Sequence, residues 1–285
     1  MHPEKVHPDL GFPLRHRLGL QVLFDFDDIA DALRFAAGNG FGALELNMGN
    51  LDFCRQLADG RRRRQVRMLA RQLGIRLAVH AIEGPSLFVP DRTVMRTTVR
   101  SIRRLLDEAE SAGIENVVMH LGFEMYYACE GRGRYPHERY PDFYEALVGD
   151  ALSGLREYAR GRARLCIENV GGFRFDFVHR LLSRLLSADL GLCYDVGHNA
   201  ILPATPRRAE ATFYRRHARR VYHSHLHDNH GERDEHLALG QGGVRFGPYL
   251  RFLAGTPALL CLEVRPRAAA VLSRDYLVRE VLARL

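Results

Sequence analysis

The sequence predicts a single-domain α/β fold, a (β/α)8 barrel, and three observations point to it. Short apolar runs of about five to seven residues alternate with helical patterns of about ten to twenty, as repeated βα units around a parallel sheet require. Eight such units follow one another with no glycine-rich dinucleotide fingerprint after the first strand, which disfavours an open doubly wound sheet. Side chains of metal-ligand type stand at the ends of successive strands, where a barrel of this kind gathers its functional groups.

The expected strands are Arg17–Leu23, Gly42–Leu46, Ile75–Ala81, Asn116–Leu121, Arg164–Ile167, Leu190–Tyr194, Val221–Leu226 and Leu259–Val264. The expected helices are Asp28–Ala37, Asp52–Leu73, Arg92–Ala112, Pro141–Arg160, Phe175–Leu186, Arg207–Ala218, Phe246–Ala254 and Ser273–Leu285. Gly38, Gly74 and Gly113 each follow a helical run, where a left-handed C-terminal position favours glycine. Asp27 and Asp91 are expected N-caps. Two connections, Ile82–Pro90 and Gly122–Tyr140, exceed ordinary βα loops and follow strands on the expected catalytic face, so they read as substrate lids. No linker or second core interrupts the pattern, and one domain over residues 1–285, with its core from about 17 to 285, is expected.

Composition narrows the class. The 285 residues, 46% hydrophobic and 26% charged, suit a globular protein able to bury a sizeable core. No apolar run approaches the ~20 residues of a membrane span, so no membrane partner is expected. Met1–Arg17 lacks an apolar signal region, and the five cysteines form no CxxC pair. Cys166, Cys193 and Cys261 lie in apolar strands as small hydrophobes, and a cytoplasmic location is the expectation. The formal net charge of +7 comes almost wholly from arginine, Lys5 being the one lysine. Arg61–Arg64 lie on a helical pattern whose apolar positions are Val66, Leu69, Ala70 and Leu73, which reads as a solvated face; a phosphate-backbone contact is the alternative.

The donors define the chemistry. Glu45 and Asn47 end the second strand, His80 the third and His120 the fourth. Glu168 and Asn169 end the fifth, and Asp195 and His198 the sixth. His225 ends the seventh, whose glycine-closed loop carries Asp234 and His236; Glu263 ends the eighth, just before Arg265. A carboxylate inside an apolar strand is costly unless paired or metal-bound, so Glu168 and Glu263 call for a cation. Glu168, Asp195, His225 and Glu263 are the expected core ligands, with His80, His120, His198, Asp234 and His236 as further ones. Nine donors exceed one ion, so they imply two or three ions, or one ion plus histidines that touch substrate. Imidazole with carboxylate suits Zn or Mn, and also Co, Fe or Mg. His227 and His230 read as structural, solvent-facing residues.

These residues make the chain resemble the xylose-isomerase-like TIM barrels, the superfamily that joins sugar and sugar-phosphate isomerases and epimerases to the AP endonuclease family typified by endonuclease IV. The resemblance rests on Ile-Glu168-Asn, Tyr-Asp195-Val-Gly-His198, and His225-Leu-His-Asp-Asn followed by Asp234-Glu-His236-Leu-Ala-Leu-Gly-Gln-Gly. The endonuclease branch implies a trinuclear zinc cluster held by His80, His120, Glu168, Asp195, His198, His225, Asp234, His236 and Glu263. The flanks depart from that branch: His227-Asp228-Asn229 replaces its Asn-Asp pair, and Glu45 is what the sugar-isomerase branch tends to show.

The favoured expectation is a divalent-metal-dependent sugar isomerase or epimerase. Glu168 and Glu263, in the dual role the resemblance implies, would move a proton beside a carbonyl through an enediolate, with the ion as Lewis acid. Glu45, Asn169 and Arg265 are expected to contact substrate. The second expectation is an endonuclease-like multi-zinc phosphodiester hydrolase, which would make nucleic acid the partner in place of a small carbohydrate. Self-association into a homo-oligomer is compatible with either.

Overall fold

The chain alternates strand and helix as its hydrophobic pattern dictates. The computed structural model describes Leu14 and residues 16–284. Its strands are β1 (Leu18–Val22), β2 (Ala43–Asn47), β3 (Arg76–His80), β4 (Ile114–Met119), β5 (Tyr127–Cys129), β6 (Arg132–Arg134), β7 (Arg164–Glu168), β8 (Leu190–Asp195), β9 (Val221–Leu226) and β10 (Leu259–Leu262). Eight of them close a barrel in the order β1-β10-β9-β8-β7-β4-β3-β2, and β5-β6 form a separate two-stranded sheet. Sequential neighbours in the barrel are parallel, and β10 pairs with β1 to close the wall.

The helices are α1 (Ile29–Gly38), α2 (Leu51–Ala58), α3 (Gly60–Leu73), α4 (Arg92–Ala112), α5 (Pro136–Arg139), α6 (Pro141–Ala159), α7 (Asp176–Leu185), α8 (Val196–Ala200), α9 (Ala204–Arg216), α10 (Phe246–Ala254) and α11 (Arg267–Tyr276). The main core lies between the barrel wall and these helices: Leu20, Leu44, Val79, Val117, Leu165 and Leu192 are fully buried beneath residues such as Leu33, Leu106 and Leu182. Each such side chain contributes about 1.5–3 kcal/mol on burial. At the N-terminal end of the barrel, the Arg17 guanidinium donates to the carbonyls of Leu253, Thr256 and Ala258, pinning β1 to the approach to β10.

Alternation decides what faces inward. Successive side chains of a strand point to opposite sides, so Cys166 and Glu168, Cys193 and Asp195, and Cys261 and Glu263 fall on one face of their respective strands. The lower interior is small and apolar, with Ala43, Ala78, Leu259 and Cys261 in one cluster and Val118, Cys166 and Cys193 in another. The upper interior is polar: Glu45, His80, Asn116, Glu168, Asp195, His223 and His225 are all buried. In register, Asp195 pairs with His225 and His225 with Cys261, which sets these groups near one level.

Several expectations at element ends are corrected. The expected helix Asp52–Leu73 is two helices, because the Asp59 side chain accepts from the backbone N–H groups of Arg61 and Arg62 and starts a new one. Asp28, not Asp27, caps α1, and Gly38 is its last helical residue; Gly40 takes the left-handed conformation (φ 73°). Gly74 and Gly113 do end their helices left-handed, and Asp91 caps α4. The last helix begins at Arg267 rather than Ser273 and gives way after Tyr276 to π and 3-10 turns. Leu285, and the N-terminal residues Met1–Pro13, lie outside the described residues. The Gly122–Tyr140 excursion is not structureless: it contains β5, β6 and α5. Among the described residues no helix is long and apolar enough to cross a membrane. The Arg61–Arg64 run starts α3; Arg61, Arg62 and Arg64 are exposed, whereas Arg63 turns back to donate to Leu57 O, Ala58 O and Ser111 Oγ.

Candidate metal centre

Glu168, at the end of β7, is the hub. Its Oε2 lies 3.1 Å from His80 Nε2, 3.3 Å from His120 Nε2 and 3.4 Å from His225 Nδ1, and its Oε1 lies 3.1 Å from His198 Nδ1. His225 Nδ1 also lies 3.6 Å from Asp195 Oδ2 and 3.0 Å from Glu263 Oε2. Both Glu168 and His225 are almost completely buried.

The orientation of His225 tests whether a cation fits. Its Nε2 faces the Glu45 carboxylate at 3.0 Å and donates there, which turns Nδ1 toward three carboxylates. Burial opposes the charged ring, but the surrounding negative charges hold the imidazole pKa well above its usual value, so without a cation a proton sits on Nδ1. His225 Nδ1, Asp195 Oδ2 and His198 Nδ1 are buried atoms without a hydrogen-bond partner. A buried polar atom left unsatisfied costs about 1–3 kcal/mol, more when charged. Three such atoms converging on Glu168 match the donor set of a divalent ion, and the carboxylate–imidazole pair of Glu45 and His225 is the support that metal-ligating histidines use.

A second group lies beside the first. His198 Nε2 and His236 Nε2 lie 3.0 and 3.2 Å from Asp234 Oδ2, and His227 Nε2 lies 3.5 Å from Asp234 Oδ1. His227 also reaches Asp195 Oδ1 at 3.2 Å, and its ring stacks on His236 with centroids 4.1 Å apart. His198, His227, Asp234 and His236 offer ligand atoms close enough to share one ion, as do His80, His120 and Glu168. His236 is held at φ +50°, a conformation sparsely used outside glycine that concentrates at functional positions.

Electrostatics follow from these contacts. Burial alone would raise the Glu168 pKa, but the imidazoles of His225 and His120 outweigh it and hold the carboxyl well below its usual range. Burial lowers the His80 pKa, yet its hydrogen bond to Glu168 and the charge of that group push it up to about 9. Burial likewise opposes, and Asp234 and Glu263 overcome, a rise of His236 to about 9. In the metal-free protein, protons therefore take the place that a cation would occupy.

The loop that brings Asp234 and His236 into place is closed by Asp228, whose carboxylate accepts the N–H groups of Asn229, Gly240, Gly242 and Val244, each at 2.9 Å. A Cβ on Gly242 would lie 2.4 Å from Asn229 O, so only glycine fits there. The Gly240–Gly243 turn thus commits its amides to its own loop rather than to a phosphate.

Nine expected ligands, His80, His120, Glu168, Asp195, His198, His225, Asp234, His236 and Glu263, come together around these groups; of the three expected substrate contacts, two are buried among protein partners and one is half-buried. Glu45 is fully buried beneath His225 and bound to His223 and His225 at 3.0 Å each. Asn169 is also fully buried: its amide donates to Asp195 O and Glu210, and its carbonyl accepts from Asp195 N and Tyr214. Arg265 is half-buried, donates to Gln21 Oε1 and lies 3.7 Å from Glu263. His227, expected to face solvent, is instead fully buried among the donors, and His223 joins it in the interior; His230 is exposed, its imidazole against Glu235. The missed signal was period-two spacing: His223, His225 and His227 occupy alternate positions and therefore one face.

Comparison with known proteins agrees with this architecture. Residues 33–283 match the family described as Xylose isomerase-like TIM barrel. Uncharacterized protein MJ1614 of Methanocaldococcus jannaschii is 21% identical over 178 residues, 61% of this chain and 64% of that protein. The chain thus spans less than two thirds of the length of the curated relatives it matches. Among solved structures, a D-tagatose 3-epimerase-like protein superposes with a TM-score of 0.73 at 22% identity, covering 91% of this chain and 95% of its own. The TTHB071 protein from Thermus thermophilus, soaked with ZnCl2, gives a TM-score of 0.68 at 24% identity, covering 91% and 97%. With the match running through nearly the whole barrel, the chain belongs to the Xylose isomerase-like TIM barrel family.

Proposed function

We propose that this chain is a divalent-metal-dependent sugar or sugar-phosphate isomerase or epimerase that works by proton transfer through an enediolate. The observation that carries the reading is His225, with Nε2 anchored on Glu45 and Nδ1 turned to Glu168, Asp195 and Glu263. Those four residues would hold the ion, and imidazole with carboxylate suits zinc or manganese. When bound, the ion supplies Lewis-acid polarisation of a carbonyl.

The chain's own residues supply the rest. β7 and β10 flank β8 and β9 in the wall, so Glu168 and Glu263 approach the same imidazole from two sides. Glu168 is held ionised by its histidines and can accept a proton, and Glu263 can exchange one from the other side; paired carboxylates suit this work. The excursion between β4 and β7 presents Phe123, Met125, Tyr126 and Tyr127 to solvent at 54–67% exposure, an apolar cover suited to excluding water over a small substrate. The epimerase-like relative supports this choice by fold.

The test is solvent exchange. Metal-loaded protein incubated in D2O with a panel of ketoses and aldoses should place deuterium on the carbon beside the carbonyl, read by NMR. Glu168→Gln and Glu263→Gln should each slow exchange by about 10²–10⁴-fold. No exchange on any sugar, together with cleavage of abasic-site DNA, would replace this reading with the hydrolase. One observation favours that second reading: the donors divide into more than one ion-sized group, as a multi-zinc phosphodiesterase needs.

A further inference from the structure

A cavity lies outside the barrel wall, on the far side of β8 from the carboxylates. Strand alternation turns Asp195 inward and Tyr194 outward, and Tyr194 stacks on Tyr214 at 4.0 Å in the helix layer. There it lines a cavity of 360 Å³ between α9 and the segment leading into α10, within the size range of small-molecule sites.

The lining is unbalanced in charge. Arg207, Arg208, Arg215 and Arg245 border the cavity, and no aspartate or glutamate does among the described residues. None of the four arginines makes an ion pair among the described residues. The acidic groups that touch lining residues bind partners other than these arginines: Glu235 holds His230 at 2.9 Å, Glu210 holds Asn199 and Asn169 at 2.8 and 2.9 Å, and Asp228 holds the backbone of Asn229 and Val244 at 2.9 Å. Arg207 is braced by Leu202 O through Nε and Nη2. Guanidinium groups stay charged at any physiological pH, so an anion that enters this hollow meets four solvent-exposed positive groups at its border.

A second observation points into the same cavity. Tyr194 is 1% exposed and its hydroxyl has no hydrogen-bond partner. The neighbouring Tyr249 hydroxyl, by contrast, donates to Asn199 Oδ1 at 2.9 Å. An orphaned buried O–H beside arginines that carry no ion pair suits an anionic oxygen acceptor. Tyr249 and Phe252 add aromatic wall for an apolar or planar body.

We propose that this cavity is a binding site for a small organic phosphate, separate from the metal centre, with the arginines and the Tyr194 hydroxyl on the phosphate and the aromatic wall on the body. Two lining residues, Tyr194 and Asn199, directly adjoin the candidate ligands Asp195 and His198 in the chain.

Calorimetric titration of the full, metal-loaded chain with AMP, inorganic phosphate and adenosine tests this without reference to catalysis. AMP should bind saturably and about tenfold or more tighter than either fragment. Arg208→Ala/Arg245→Ala, which removes two exposed side chains, should weaken AMP roughly tenfold or more. Tyr194→Phe should weaken it by a smaller factor, and the charge-matched control Arg61→Ala/Arg64→Ala should not. The proposal falls if AMP fails to saturate by about 10 mM. It falls equally if phosphate binds as well as AMP, or if the control loses as much affinity as the cavity variant.

Discussion

The Glu45 carboxylate sits 3.0 Å from Nε2 of His225 and so determines which nitrogen of that ring faces the ligand cluster. The proton on Nε2 belongs to this contact, and the orientation of Nδ1 toward Glu168, Asp195 and Glu263 is its consequence. Glu45→Gln keeps the volume but removes the charge that makes His225 a strong donor. We expect metal affinity to fall by about 10–100-fold with the fold retained, measured by competition against a chromophoric chelator. Unchanged affinity would show that Glu45 serves the interior alone.

Protons and metal compete for the same atoms. His80 and His236, both pushed up to about 9, are protonated at pH 7 in the metal-free protein and must lose that proton to act as ligands. Metal uptake at pH 7 should therefore release protons, and apparent affinity should rise as pH climbs from 7 toward 9. Calorimetry in buffers of different ionisation enthalpy measures the release; uptake without it would contradict the assignment.

His227 distinguishes the two donor groups, since it touches Asp195 and Asp234 rather than Glu168. His227→Asn should reduce metal content at the His198–Asp234–His236 group while ligands around Glu168 still bind. Elemental analysis of protein purified without chelator or tag nickel gives the count. An unaltered count would leave His227 as a support for Asp195.

Gly197 is held close to that same ring: a Cβ there would lie 1.9 Å from His227 Cε1. Gly197→Ala should destabilise the protein by about 1–3 kcal/mol and lower metal content together. Thermal denaturation alongside elemental analysis checks both; wild-type values in each would mean that the strand and helix separate freely here.

Asn169 tests a substrate role against a structural one. Its amide ties β7 to the backbone of Asp195 on both sides and meets Glu210 and Tyr214. Asn169→Ala should lower stability by about 3 kcal/mol, because several buried groups lose their partner at once. A variant with unchanged melting temperature and a raised KM would restore the substrate role.

Part of this was legible along the chain. The eight-unit alternation, the caps at Asp91, Gly74 and Gly113, and the acidic and imidazole residues at strand ends follow from local periodicity and local hydrogen bonding. Cys166, Cys193 and Cys261, each two positions before a carboxylate, already hinted at the apolar layer below the polar one. The helix break at Asp59 and the cap at Asp28 were less visible, because several adjacent aspartates compete for each role and only side-chain geometry separates them.

The sequence by itself determined the barrel and nine of the candidate donors, though not His227, since both depend on residue type and short-range period. Only the tertiary structure decided which donors share a neighbourhood. Glu45 lies under His225 because barrel closure brings residues 180 positions apart into contact, and His227 lies beside His236 because the loop folds back to pair Asp228 with Leu237. Local propensity carries no information about that depth, and the depth separates a candidate metal ligand from its support.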